Sequence, residues 1–126
     1  MESRKSVLIV EDEPAIRFAL KYEFSGDSYQ FLTAEDIAQA FSIIDTKRPD
    51  LIILDVMLPG GRDEGFKMCK RLKADEATKD IPIVILTARP AQDELVAKNV
   101  GADRYFTKPP NMIELRGAIQ ELLGQA

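Results

Sequence analysis

Short runs of apolar residues alternate along the chain with stretches whose apolar positions recur every three or four residues. Val7-Leu8-Ile9-Val10 is a continuous apolar run, the pattern of a strand covered on both faces. Pro14 follows the acids Glu11-Asp12-Glu13 and suits a first helical turn. Ile16, Leu20 and Phe24 then recur at helical spacing, and Gly26 is the expected stop. Tyr29 to Thr33 predicts a second strand, weaker in pattern and nearer a sheet edge. Asp36 is placed to cap a second helix, with Ile37, Ala40, Phe41 and Ile44 on one face.

Leu51-Ile52-Ile53-Leu54 predicts a third strand, with Asp55 at or just past its end. Pro59-Gly60-Gly61 marks a loop. A third helix follows from about Gly65 to Lys73, carrying Phe66, Cys69 and Leu72. Ile81 to Leu86 predicts the fourth strand, with Pro82 tolerated near its start. A helix from about Gln92 to Asn99 carries Leu95 and Val96 and ends at Gly101. Arg104 to Thr107 predicts a short fifth strand. The last helix runs from about Asn111 to Leu123, with Met112, Leu115, Ile119 and Leu122 inward. Strand–helix alternation with short connections predicts an α/β fold: a parallel sheet with helices on both faces.

Composition narrows the function classes. The 126 residues fit one domain, 1–126, and carry a net charge of −4. An acidic chain has no electrostatic reason to bind nucleic acid or an anionic membrane directly. No apolar run reaches the length of a membrane helix, and the polar start Met1-Glu2-Ser3-Arg4-Lys5 is not expected to act as a secretory signal. A single cysteine, Cys69, excludes an internal disulfide, and the expected location is cytoplasmic. The histidine count is zero, which excludes a Ser-His-Asp triad and any phosphohistidine of the chain's own.

In an open α/β sheet, ligands bind outside the carboxyl ends of the strands. There stand Glu11 and Asp12 after the first strand and Asp55 after the third. Thr87 follows the fourth, and Lys108 and Pro109 the fifth. Two like charges ~4 Å apart repel by about 4 kcal/mol at an effective dielectric near 20. Three carboxylates in one pocket therefore protonate in part or gather a cation. Magnesium suits such oxygen donors, because it accepts a carboxylate or two and keeps room for phosphate oxygens. Lys108 adds a positive charge and Thr87 a hydroxyl, a set suited to phosphoryl transfer onto a carboxylate. Each residue alone also has an ordinary reading: helix-start acids, a turn aspartate, a surface lysine.

The segments Val7 to Glu13, Leu54 to Gly60, Thr87-Ala88 and Gly101 to Pro109 resemble the receiver domains of bacterial response regulators. The likeness runs in the right order from about Lys5 to Leu123. It implies a flavodoxin-like, doubly wound, five-stranded parallel sheet of order 2-1-3-4-5 with five helices. It implies two-component or phosphorelay signalling, with Mg2+ as cofactor and Asp55 as the phosphorylated residue. Asp12 and Asp55 would hold the metal directly, Glu11 through water or by orientation, and Met57 through its backbone carbonyl. By the same resemblance Met57 and Arg89 would take the rate-tuning positions. Lys108 would contact the phosphoryl group and precede Pro109 through a peptide that is usually cis in the family. Thr87 would be the switch hydroxyl and Tyr105 the switch aromatic.

The expected partners are a histidine kinase or histidine phosphotransfer protein docking near the first helix. A downstream protein would read the face of the fourth helix, fifth strand and fifth helix. The expected state is a monomer or weak dimer. The protein would not be an ordinary enzyme but a phosphoacceptor that assists its own phosphorylation and dephosphorylation. The stretch Gly60 to Phe66 is longer than the family's usual loop, which leaves its path open. Four rivals stand beside this reading. One is a receiver cut from a hybrid kinase or transcription factor, and another a purely structural receiver. A magnesium-dependent aspartyl phosphohydrolase would want a second acid where Met57 stands. An FMN protein would want a phosphate loop where the acids Glu11 to Glu13 stand.

Overall fold

The structure is a computed structural model that describes residues 4–24, 26 and 28–124. The polar start Met1 to Ser3 and the tail Gln125 to Ala126 lie outside the described residues. The elements follow in strict alternation: β1 (Ser6–Val10), α1 (Pro14–Glu23), β2 (Gln30–Ala34), α2 (Ile37–Thr46), β3 (Leu51–Asp55), then α3 (Glu64–Ala74), β4 (Ile83–Thr87), α4 (Pro90–Asn99), β5 (Arg104–Thr107) and α5 (Met112–Leu122). The five strands pair in parallel in the order β2-β1-β3-β4-β5. This is the flavodoxin-like order that the resemblance implies, with β2 at an edge.

Alternation of side chains along each strand splits the core in two. Leu8, Val10, Ile52, Leu54, Ile83 and Ile85 face one way, packed with Ala40 and Ile44 of α2 and Phe66, Cys69 and Leu72 of α3. Val7, Ile9, Leu51, Ile53, Val84 and Leu86 face the other way, against Leu20 and Phe24 of α1 and Leu115 and Ile119 of α5. Both faces of the central strands are covered, which is why their sequences are continuous apolar runs.

Capping follows the sequence. Asp36 accepts the Gln39 N–H at 2.8 Å, and Asn111 accepts the Glu114 N–H at 3.0 Å. α4 closes with Gly101 at φ +90, its N–H donating to Lys98 O while Ala102 N–H donates to Ala97 O. That is the paired closure a left-handed residue permits.

Several boundaries differ from the sequence reading. α1 ends at Glu23 with Phe24 as its C-cap, so Gly26 lies beyond the helix. β4 begins at Ile83 rather than Ile81. Pro82 has no N–H to give, though its carbonyl accepts from Ile52 N–H. α4 begins at Pro90 rather than Gln92, since the first helical position asks nothing of a proline N–H. α4 also turns its two large apolar residues outward: Leu95 is 68% and Val96 39% exposed, while Asp93 and Ala97 are buried.

Candidate functional site

Strand register brings the chemistry to one rim. Val10 pairs with Leu54, Asp55 with Leu86, and Thr87 with Thr107, so β1, β3, β4 and β5 end at a common level. Around that rim lies a cavity of about 270 Å³ whose walls include Asp12, Asp55, Met57, Thr87, Arg89 and Lys108.

Asp55 is the last residue of β3, and its side chain is 3% exposed. Its Oδ1 accepts from Met57 N–H at 3.3 Å and its Oδ2 from Lys108 Nζ at 3.1 Å. The chain can turn away from β3 here because Gly65 comes up against it. A Cβ on Gly65 would stand 2.1 Å from Asp55 O, and Gly65 N–H donates to Val56 O at 2.8 Å. Lys108 is held by its own N–H donating to Thr87 O at 2.7 Å, and the peptide to Pro109 is cis.

Lys108 Nζ meets three carboxylates. Besides Asp55, it donates to Glu11 Oε2 at 3.2 Å and to Glu13 Oε1 at 2.6 Å. Carboxylate oxygens of Glu11, Asp12 and Asp55 all lie within 4.8 Å of one another. Glu11 is fully buried, and its Oε1 has no hydrogen-bond partner. A buried carboxylate oxygen without a donor is costly unless a cation meets it. A hard, oxygen-preferring dication fits this donor set.

The electrostatics agree. Burial, then the charge of Asp55, pushes the Glu11 carboxyl up to about 7, against the pull of the Glu13 backbone N–H and Lys108. Burial also raises Asp55, with Lys108 opposing. Burial alone would lower Lys108, but its bond to Glu13 and the charges of Asp55 and Glu11 hold it well above the ordinary lysine value. One lysine does not neutralise these acids.

The hydrogen bonds of the Thr87 hydroxyl run to Asp93 and Arg89 rather than to Asp55. The hydroxyl donates to Asp93 Oδ2 at 2.5 Å and accepts from Arg89 N–H at 2.9 Å. The Arg89 side chain pairs with Asp93 at 3.3 Å and Asp63 at 3.6 Å. Tyr105 is half-buried outside this cavity; burial and the Glu94 carboxylate of α4 raise its phenol. It shares a groove with Pro90, Pro109 and Glu114. Met57 is 54% exposed. The long loop makes a bridge between Leu58 and Gly61, with Gly60 and Gly61 at φ 116 and 153.

Sequence reasoning assigned no site role to Glu13 or Asp93. Glu13 could be read only as a helix-start acid, since its lysine is 95 residues away. Asp93 carried one usable signal, an acid four residues after Arg89.

A buried aspartate at a strand end, flanked by acids and a lysine on a five-stranded parallel sheet, defines a phosphoacceptor-type receiver. Residues 7–120 match the family model of the response regulator receiver domain, and the chain belongs to that family of two-component signalling proteins. It is 42% identical over 120 residues to the phosphate regulon transcriptional regulatory protein PhoB of Pseudomonas aeruginosa, covering 94% of this chain and 52% of that protein. The chain thus spans about half the length of the curated relatives it matches. Among solved structures it resembles the chemotaxis response regulator CheY4 of Vibrio cholerae, with TM-score 0.83 and 30% identity over 95% of this chain and 99% of that one. It also resembles the receiver domain of sensor histidine kinase PA1611 from Pseudomonas aeruginosa PAO1 (TM-score 0.85, 26% identity, 98% and 100% coverage), solved with magnesium coordinated in its active-site cleft.

Receiver domains partner histidine kinases and are phosphoacceptors rather than ordinary enzymes. No helix among the described residues is long and apolar enough to cross a membrane.

Proposed function

We propose that Asp55 accepts a phosphoryl group from a phosphohistidine on a partner kinase or phosphotransfer protein. The observation that carries this is the contact of Lys108 Nζ with Asp55 Oδ2 at 3.1 Å beside the Glu11–Asp12–Asp55 cluster. Asp12 and Asp55 would hold Mg2+, with the Met57 carbonyl completing the shell and Glu11 acting through water. The orphaned Glu11 Oε1 supports that assignment. When bound, the ion neutralises charge and orients phosphate oxygens.

A carboxylate oxygen of Asp55 attacks phosphorus in line. The P–N bond to the partner imidazole breaks, and that nitrogen keeps the electron pair and takes up a proton. Lys108 balances the charge of the transferred oxygens. Thr87 then bonds the phosphoryl group, Tyr105 turns inward, and the face of α4, β5 and α5 changes for a downstream partner. Met57 and Arg89, on the rim of the cavity, set how water reaches the acyl phosphate. Donor docking near α1 is supported by exposed Phe18 on α1 and Ile113 on α5, helices packed against one face of the sheet.

The receiver acts as one domain in the cytoplasm, as a monomer or weak dimer. A second reading makes it the switch module of a longer protein, favoured by the 52% coverage of the PhoB relative. Phosphotransfer profiling tests the proposal: purified histidine kinases of the host, labelled with phosphate in Mg2+, are mixed with wild type and Asp55→Asn. Label should reach wild type only, and equal labelling of both would overturn the assignment.

A further inference from the structure

α4 buries a carboxylate where a helix packed on a sheet ordinarily buries an apolar side chain. Asp93 is 4% exposed, beside Ala97 on the inner side of the helix. Its Oδ2 takes the hydrogen of the Thr87 hydroxyl, and its Oδ1 lies 3.3 Å from Arg89 Nη2. The same hydroxyl oxygen accepts from Arg89 N–H. A threonine hydroxyl has one hydrogen to give. In this arrangement that hydrogen is committed to α4 and is not available to any group on Asp55.

The geometry points to Asp93 as a positioning residue for the phosphorylation of Asp55: it holds the Thr87 hydroxyl on α4, so that the hydroxyl reaches a phosphoryl group only by releasing the helix. The inference rests on the reading of Asp55 as phosphoacceptor. A hydrogen bond to a buried charged acceptor is among the stronger ones, and breaking it leaves Asp93 with Arg89 alone. Asp63, on the loop before α3, already shares Arg89. Loss of the Thr87 bond therefore loosens the first turns of α4 and shifts Arg89 between its two acids. A two-state element of this kind is biased by whatever competes for the hydroxyl.

The test uses the full chain with Asp93→Ala and the milder Asp93→Asn, each alone and in a Thr87→Val background. Circular dichroism melts establish that every variant folds. Phosphate uptake from acetyl phosphate in Mg2+ is followed at Asp55. Thr87 side-chain rotamer populations are read by NMR couplings without any phosphodonor. Asp93→Ala should speed uptake about tenfold, the scale of one charge-assisted hydrogen bond. In the Thr87→Val background the same change should move the rate by less than about twofold, since the two residues act as one unit. Thr87 rotamers should redistribute in phosphate-free Asp93→Ala.

Equal acceleration in both backgrounds would mean that Asp93 acts through Arg89 or the helix alone, and would overturn the inference. Unchanged Thr87 rotamers would overturn it too. If wild type takes no phosphate at all, the phosphoacceptor reading fails. The rotamer measurement then decides the hold of Asp93 on Thr87 by itself.

Discussion

Lys108 Nζ lies 3.1 Å from Oδ2 of Asp55, and the two side chains are 10% and 3% exposed. This pair joins the end of β3 to the residue after β5 across β4, and each partner is also engaged by others. Burial of Asp55 conflicts with its charge and disfavours the ionised form, and Lys108 offsets this only in part. Replacing it with a neutral isostere should relieve that conflict. Asp55→Asn is expected to abolish phosphate uptake while raising the urea midpoint, by about 1 kcal/mol of stability, as functional-site substitutions often do. Lys108→Ala should do the reverse to stability, costing about 3 kcal/mol by leaving buried carboxylates uncompensated. Paired urea melts in EDTA check both signs.

Glu11 gives the pH dependence. Its folded carboxyl lies at about 7 and its ordinary value is 4.5, so between these the native state holds a proton that the unfolded chain has lost. Its contribution is fully present below about 4.5 and disappears as pH rises through 7. Without divalent metal, stability should fall over that window by up to about 3 kcal/mol. Glu11→Gln should flatten the slope. Chemical denaturation at half-unit pH steps in EDTA measures it, and a rising curve would contradict the burial argument.

Asp12 should govern metal affinity with little effect on the fold, because it is exposed. Asp12→Asn is expected to weaken Mg2+ binding at least about tenfold, the loss that follows removal of one carboxylate from a site of few protein ligands. Isothermal titration calorimetry reads it directly. Unaltered affinity would remove Asp12 from the ligand set.

Gly65→Ala tests the packing beneath Asp55. The added Cβ would stand 2.1 Å from Asp55 O and 2.7 Å from Val56 Cα, both backbone atoms that cannot step aside cheaply. A cost of about 3 kcal/mol is expected, at the upper end of core overpacking. Phosphate uptake should drop with it, since the peptide that carries Met57 must move. Thermal melts and uptake rates on the same preparation check the coupling.

Cys69 should be inert in the folded protein. It is fully buried, and burial pushes its thiol up to about 11. At pH 8 a thiol reagent should label it at least about 100-fold more slowly in the native protein than in urea. Fast native labelling would show an opening of α3 that the packing does not suggest.

Much of this molecule is legible in the sequence because its strands are buried on both faces. Val7 to Val10, Leu51 to Leu54 and Ile83 to Leu86 can be little else, and the group after each run lands on the rim by geometry alone. Glu11, Asp55 and Thr87 are therefore readable. Asp93 is not. Leu95 and Val96 invite an inward placement, but tertiary packing rotates α4 so that Asp93 and Ala97 face the sheet. Glu13 escapes notice for a different reason: its partner is a lysine at the other end of the chain, and periodicity carries no information about that pairing. The late start of β4 escapes notice because Ile81 and Pro82 look like strand, whereas Asp103 supplies the acceptor for Ile83 N–H at 2.8 Å.

The contacts of Lys108 span 97, 95 and 53 residues. No fragment of the chain contains such a cluster, and no half-assembled sheet can present it. Whatever ion or anion it captures is thus recognised by the completed molecule alone. Occupancy then works as a clasp: at a free concentration one hundred times its dissociation constant, a ligand adds about 2.7 kcal/mol against global unfolding. Resistance to heat or proteolysis becomes a gauge of how full the site is.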